Sequence, residues 1–358
     1  MTTRQRNLAV LIAIGVLAVV GGYFGGGSPP APHPMDAVPD GAFLVVSVDL
    51  GKLRSAGVLD ELGLLNQRGR DDVTAACGFD PMDRAREFVI AAPEEGEPGE
   101  FGVAVTVDLD RDQVLDCAKK VLSARGGNPT VHEEDGFSIV EDTSLGVARP
   151  RIAVRTGAPL FVGHGPWLRA MMHAYDRQGP RAAATSAHVR LRKELDGDHA
   201  AISATASLPA SLREKLRADV EGGQKQGGPT FSAILQVSEA AIALHVAGDA
   251  GGADGVHAIA QCETAQACVT LKDFIARKQT ALEKDWGVKL IGMATLLEAM
   301  HLETRGAELE LDLTAPASEI ARVANRAWTF TATSPPPLAD AGTAPLRRAD
   351  ETIVAGDR

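Results

Sequence analysis

Glu308-Leu-Glu-Leu-Asp-Leu313 alternates without a break, placing Leu309, Leu311 and Leu313 on one side of the chain and three acids on the other. Side chains of an extended strand point to opposite faces in turn, so this is a strand with one dry and one wet face. Phe101-Gly-Val-Ala-Val-Thr-Val-Asp108 repeats the pattern with small residues opposite the valines, and Ile242, Leu244 and Val246 repeat it again. Half-covered strands belong to antiparallel sheet, whereas strands of a doubly wound parallel sheet are apolar throughout.

Three of these strands share an ending and a sequel. Val46-Ser-Val-Asp-Leu50, Val105-Thr-Val-Asp-Leu109 and Leu309-Glu-Leu-Asp-Leu313 each run into helical spacing, at Leu53 to Leu65, at Val114, Ala118, Val121 and Leu122, and at Ile320, Val323, Ala324 and Ala327. Ala204-Thr-Ala-Ser-Leu208 is a weaker fourth copy. Asp49, Asp108 and Asp312 are expected to cap the helices, because a carboxylate accepts from the free amides of a first turn. The alternative is an acid poised at a strand end for chemistry.

Further strands fit Glu87 to Ala92, Arg151 to Arg155, Leu160 to Gly163, Ala200 to Ala206, Phe231 to Val237 and Val256 to Ala260. Helices fit Pro166 to Asp176, His188 to Leu195, Leu212 to Glu221 and Thr264 to Asp285. The expectation is an α+β fold, an antiparallel sheet with helices packed on one face, built from repeated strand-helix units. With aromatic residues at 4%, alanine, valine and leucine must make most of the core.

Outside this domain the chain changes character. Leu8 to Phe24 is uncharged and apolar and follows Arg4 and Arg6, while a membrane-spanning helix needs ~17 or more such residues. The basic flank favours a cytoplasmic N-terminus, residues 1–7, with everything after Phe24 exported. The segment reads as a single-pass inner-membrane anchor; a cleaved secretory signal is the rival, although Val20-Gly-Gly-Tyr-Phe-Gly-Gly-Gly-Ser28 offers no Ala-x-Ala exit. Gly25 to Pro39 reads as a Pro/Gly-rich spacer and residues 334–358 as a disordered tail. Residues 40–333 remain to fold, near the size at which single cores divide, so two similar halves meeting near 180–200 are allowed.

A net charge of −11 argues against nucleic acid as a partner, since that contact needs cationic surface. The basic cluster Arg181, Arg190, Arg192 and Lys193 reads as one solvated helix face. Four cysteines in an exported chain predict disulfides, with three possible pairings. Cys262 with Cys268 is the shortest loop, stapling the Thr264 helix to the strand before it and leaving Cys77 with Cys117. No C-x-x-C or H-x-x-x-H pair supports zinc, and no cofactor is implied.

The chemistry is faint. No P-loop, dinucleotide fingerprint, G-x-S-x-G elbow or H-E-x-x-H occurs. Gly163-His164-Gly165, between a strand and the helix carrying His173, is the one candidate catalytic feature; without an acid or nucleophile at useful spacing it reads better as an ordinary loop histidine. Met171-Met172-His173 reads as core rather than a soft-metal site. Glu133, Glu134 and Asp135 beside Gly136, and Glu94, Glu95 and Glu97 with Gly96, Pro98 and Gly99, read as solvated turns.

Val38-Pro-Asp-Gly-Ala-Phe-Leu-Val-Val-Ser-Val-Asp-Leu50, following a hydrophobic N-terminus and joined to the turn Cys77-Gly-Phe-Asp-Pro81, resembles a group of uncharacterised anchored bacterial envelope proteins. The resemblance implies an envelope location and an exported α+β domain, and brings no activity. Three functions are therefore open: a non-enzymatic module, attached to the inner membrane by its N-terminal segment, that binds another protein or an envelope component; an exported hydrolase assembled around His164; and a protein holding an apolar ligand between sheet and helices.

Overall fold

The structure, a computed structural model, describes residues 33–62, 67–94, 100–145, 150–179, 181–182, 186–222, 234–247 and 254–333. Leu8 to Phe24, the spacer up to residue 32 and the tail from residue 334 lie outside the described residues.

The strands are β1 (Ala42–Asp49), β2 (Ala85–Pro93), β3 (Gly102–Val107), β4 (Pro129–Glu134), β5 (Phe137–Asp142), β6 (Pro150–Val154), β7 (Leu160–His164), β8 (Ile202–Ser207), β9 (Val237–His245), β10 (Gly255–Cys262), β11 (Met300–Arg305) and β12 (Glu308–Thr314). They form one 12-stranded sheet in the order β11-β12-β10-β9-β8-β1-β2-β3-β7-β6-β5-β4. Every neighbouring pair is antiparallel. The fold is α+β, as the alternating strands predict.

The helices are α1 (Leu50–Ser55), α2 (Val58–Leu62), α3 (Gln67–Cys77), α4 (Arg111–Ala124), α5 (Gly165–Tyr175), α6 (Ser186–Glu194), α7 (Ala210–Gly222), α8 (Ala265–Lys284), α9 (Trp286–Leu290), α10 (Met293–Glu298) and α11 (Ala317–Thr333). They cover both faces of the sheet, not the one face expected. Val103, Val105 and Val140 pack with α4, whereas Ala104, Ile139 and Phe161 point the other way onto α5. The reason lies in the strands themselves. β3 and β5 are apolar at consecutive positions, so each face needs a cover.

The second half is more lopsided. α6 lays Leu191 and Leu195 on Ala241, Ala243 and Ile259, while α8 lays Cys268 and Leu271 on the opposite face with Leu309. Beyond α6 the strands carry His257, Glu310, Asp312, His301 and Glu303 on the uncovered face. This is the wet side that Glu308 to Leu313 announces.

Ordered structure begins before residue 40. Pro34–Ala37 forms a tight turn capped by His33 Nδ1, which accepts from the Met35 amide at 3.2 Å. Met35, Ala37 and Val38 are buried against α5. This part of the spacer therefore contributes to the core; the few apolar residues among its prolines and alanines are enough to seal an exposed end of the second face.

Only one of the three strand-end aspartates is a cap. Asp49 accepts from the Lys52 amide at 2.9 Å at the start of α1. Asp108 instead pairs with Arg86 at 2.6 Å, and α4 is capped by Asp110 in a reciprocal box with Gln113. Asp312 stays within β12, and the carboxylate that receives the Ala317 amide of α11, at 3.0 Å, belongs to Asp254. A shared strand ending fixes the strand face, but the number of residues before each helix differs, and that number decides which side chain reaches the free amides.

Local readings differ elsewhere too. The helix expected over Leu53 to Leu65 breaks at Ala56-Gly57, where Gly57 takes a φ of 69°. β9 starts at Val237, so the strand expected over Phe231 to Val237 is not present at 234–236; residues 231–233 lie outside the described set.

Candidate functional site

The sheet registers align three rows of side chains across the second half on the face carrying α8. The first runs Leu44, Ala206, Ala240, Ala260, Leu309 and the second Ala204, Ile242, Ala258, Leu311, Leu302. The third, Ile202, Leu244, Val256 and Leu313, is closed over: Leu244 joins the large core of the first half, and Leu313 packs with Leu296 and Val323 of α10 and α11. The first two rows are covered only in part: α8 packs on Ala240, Ala260, Leu309 and Leu302 and leaves the remainder open.

Five alanines therefore occupy the middle of this surface, with leucines at its ends. Because alanine stops at Cβ, the line of small side chains is a trough, and α8 forms its wall through Leu271 and Ile275. The groove holds about 380 Å³ and its side-chain lining is almost wholly apolar. Leu44 to Leu309 spans four strand spacings of ~4.8 Å, or roughly 19 Å. Ile242, on a central strand, is 46% exposed in the groove floor. A large aliphatic side chain on an inner strand is normally covered, so the exposed floor is the unusual feature of the molecule.

α8 is fixed at its start. Thr264 accepts from the Ala267 amide at 3.1 Å, and Cys262 at the end of β10 is bonded to Cys268, with Cα atoms 5.6 Å apart. The wall is thus tied covalently to the floor. The second disulfide joins Cys77 of α3 to Cys117 of α4, Cα atoms 4.8 Å apart, under the first half of the sheet.

His164 ends β7 and precedes α5 without capping it. Its ring meets the edge of Phe101 with centroids 5.9 Å apart. Burial lowers its pKa from 6.5, and the charge of Glu100 opposes that shift. Among the described residues its side chain makes no hydrogen bond or ion pair. Among the described residues no acid or nucleophile comes within hydrogen-bonding reach of it, and β7 is separated from the strands of the alanine trough by β1, β2 and β3.

The other sequence candidates are occupied structurally. Met171 and Met172 are fully buried in the core beneath α5, and His173 contacts Asp135 at 3.2 Å. Asp135 and Gly136 do make the β4–β5 turn, with φ values of 50° and 77°, but its acids are not merely solvated. Glu133 takes Arg111 of α4 at 2.9 Å, and Glu134 takes Arg151 at 3.1 Å and Arg169 at 2.6 Å. Burial alone would raise the Glu134 pKa; the hydrogen bonds and charges of Arg169 and Arg151 outweigh it and hold the carboxyl below its ordinary range. Glu95 to Gly99 lies outside the described residues.

The arginines of the basic cluster are paired as well. Arg181 pairs with Asp36 at 2.9 Å, Arg192 with Asp198 at 2.6 Å, and Arg190 with Glu194 and Glu239. A second depression, about 480 Å³, lies at the start of α4 and is lined by Asp110, Arg111, Asp112, Gln113, Asp116 and Thr156. Its polar groups are engaged: Asp110 caps the helix, Arg111 bonds Ser138 and Glu133, and Asp116 pairs with Lys120. Among the described residues no group of three His, Cys, Asp or Glu side chains is placed to hold a metal ion.

The alanines of the trough stand at alternate positions in the sequence, Ala204 and Ala206, then Ala258 and Ala260. That small-residue alternation was the available signal. Its significance depends on register, which places the alanines of β8, β9 and β10 side by side.

No family model matches the chain, and no curated protein matches it. Among solved structures, three crystal forms of TP0453 are similar in fold. Form III superposes with a TM-score of 0.47 at 11% identity, covering 82% of this chain and 98% of that one. Form I gives 0.46 at 11%, and form IV 0.48 at 12%, each covering 82% of this chain and 96% of the other.

Proposed function

We propose that this is a non-enzymatic binding module of the bacterial cell envelope whose alanine-floored groove holds an apolar chain, such as the acyl chain of a lipid. The observation that carries the reading is the exposed apolar floor at Ile242, Ala258 and Leu311 beside the wall of Leu271 and Ile275. Its volume falls within the ~300–1,000 Å³ of small-molecule sites. A lining with almost no polar atoms selects for hydrocarbon and offers nothing to orient a polar substrate. The long, narrow shape favours a chain over a compact ring system.

Two disulfides support export, since such bonds persist in oxidising compartments. Among the described residues no helix is long and apolar enough to cross a membrane. Attachment to the inner membrane in this reading is through Leu8 to Phe24, with the domain in the periplasm.

The test is displacement of a fluorescent fatty acid from the full chain, with Ala258→Phe as the groove-filling variant. Binding to the wild type and its loss in the folded variant are expected. Equal binding by wild type and variant would remove the groove from the account, and no binding by either would end the ligand reading.

A further inference from the structure

The C-terminal part of α8 and the short α9 carry a surface unlike the rest of the molecule. Trp286 is 75% exposed, Leu290 60% and Leu282 40%. Trp286 and Leu290 are four residues apart on one helix and so share a face. Exposed tryptophan is costly in water and common where an apolar layer meets a wet one.

The same stretch, residues 277–290, holds Arg277, Lys278, Lys284 and Lys289 against two acids, Glu283 and Asp285. Among the described residues none of the four cations forms an ion pair, whereas Arg86, Arg151, Arg169, Arg181 and Arg192 all do. Lys278 lies 5.7 Å above the Phe274 ring. Asp285 has a structural task as the cap of α9, accepting from the Val288 amide at 3.1 Å. A chain with net charge −11 thus places four cations, unpaired among the described residues, near an exposed tryptophan.

We infer that α9 and the end of α8 dock on an anionic phospholipid surface, with Trp286 and Leu290 entering the headgroup boundary and the lysines meeting lipid phosphates. Apolar side chains beside unpaired cations match the two layers of such a surface, acyl below and phosphate above. A protein partner would need an acidic surface around a matching apolar pocket; an anionic bilayer supplies negative charge above an apolar layer over any area. α8 also lines the groove through Leu271 and Ile275, so one helix joins the docking surface to the acyl site. The fate of a lipid after docking rests on the groove reading; the docking itself does not.

The experiment uses the full chain reconstituted in phosphatidylglycerol vesicles and, separately, in phosphatidylcholine vesicles, each containing lipid brominated near the glycerol. Trp286 emission is obtained as the difference between wild type and Trp286→Phe. Quenching of that component in anionic vesicles but not in zwitterionic ones is expected, with the docking equilibrium weakened about fivefold for each of Lys284→Gln and Lys289→Gln. Quenching that is absent, or equal in both lipids, overturns the inference. Shielding of Trp286 that grows with protein concentration in detergent, without lipid, would assign the surface to a second copy and equally overturn it. Ala258→Phe is expected to leave the quenching intact while removing fatty-acid binding, so failure of one proposal is separable from failure of the other.

Discussion

Ile242 and Ala258 are direct cross-strand partners in β9 and β10, and together they set the depth of the groove floor. Side chains opposed in this way normally stabilise a sheet by touching each other and a cover above them. Here much of the contact surface of Ile242 is left open. Ile242→Ser is accordingly expected to cost under about 1 kcal/mol of stability, as at other exposed sites. The same change withdraws apolar contact worth roughly two methylenes and should weaken fatty-acid binding about tenfold. Denaturant titration and ligand displacement on one preparation check both numbers; a large loss of stability with unchanged binding would make Ile242 a core residue.

His188 should make the fold acid-sensitive. It is buried, with Nε2 donating to the Ala42 carbonyl at 2.8 Å and Nδ1 accepting from the Thr205 hydroxyl at 2.7 Å. Burial is the main cause of a pKa below 6.5. The neutral ring is the native form, so the unfolded chain binds the proton more readily and stability falls as pH drops below about 6.5. His188→Leu keeps much of the volume but strands the carbonyl and the hydroxyl, and about 1–3 kcal/mol should be lost at pH 8. Below pH 6.5 the gap between wild type and variant should narrow. Thermal midpoints across pH 4 to 8 measure it, and a parallel pair of curves would show that His188 does not titrate in the way described.

Gly102 marks a close approach. A Cβ there would overlap Met171 Sδ and touch the Trp167 indole, both buried beneath α5. Trp167 is in turn held by its Nε1 donating to the Ala91 carbonyl at 3.2 Å. Gly102→Ala should therefore destabilise the protein by about 1–3 kcal/mol through overpacking, although alanine is otherwise the better strand residue. Combining it with Met171→Ala should recover part of the loss, and an absence of recovery would point to backbone rather than side-chain crowding.

The Cys77–Cys117 bond closes 40 residues. Replacing both cysteines by alanine is expected to lower stability by about 2–4 kcal/mol, mainly by freeing the unfolded chain. Opening Cys262–Cys268, which closes only six residues, should cost less overall and act on the groove instead, since it releases the start of α8 from β10. Comparative unfolding of the two double variants tests the ordering.

Strand identity was legible because the apolar residues follow the period of two: Leu309, Leu311 and Leu313 share the face that carries α8, as their spacing requires. Helix placement relative to the sheet was not legible, because Val103 and Ala104 are both apolar and periodicity cannot tell a doubly covered strand from a noisy one. Asp110 as the α4 cap is illegible for a similar reason. It sits two residues past the repeated Asp108, where only loop geometry distinguishes them. The groove depends on cross-strand neighbours as distant as Leu44 and Leu309, and no local pattern encodes that pairing.

β1 lies in the interior of the sheet, hydrogen-bonded to β2 on one side and β8 on the other, and it is the first strand of the chain among the described residues. The edges belong to β11 and β4. Tension entering through the N-terminus would therefore load a central strand lengthwise, in shear against two ladders at once, and could not unzip the sheet one bond at a time from a rim. A pull on β1 therefore has to break two ladders together, whereas a pull on β4 or β11 meets one.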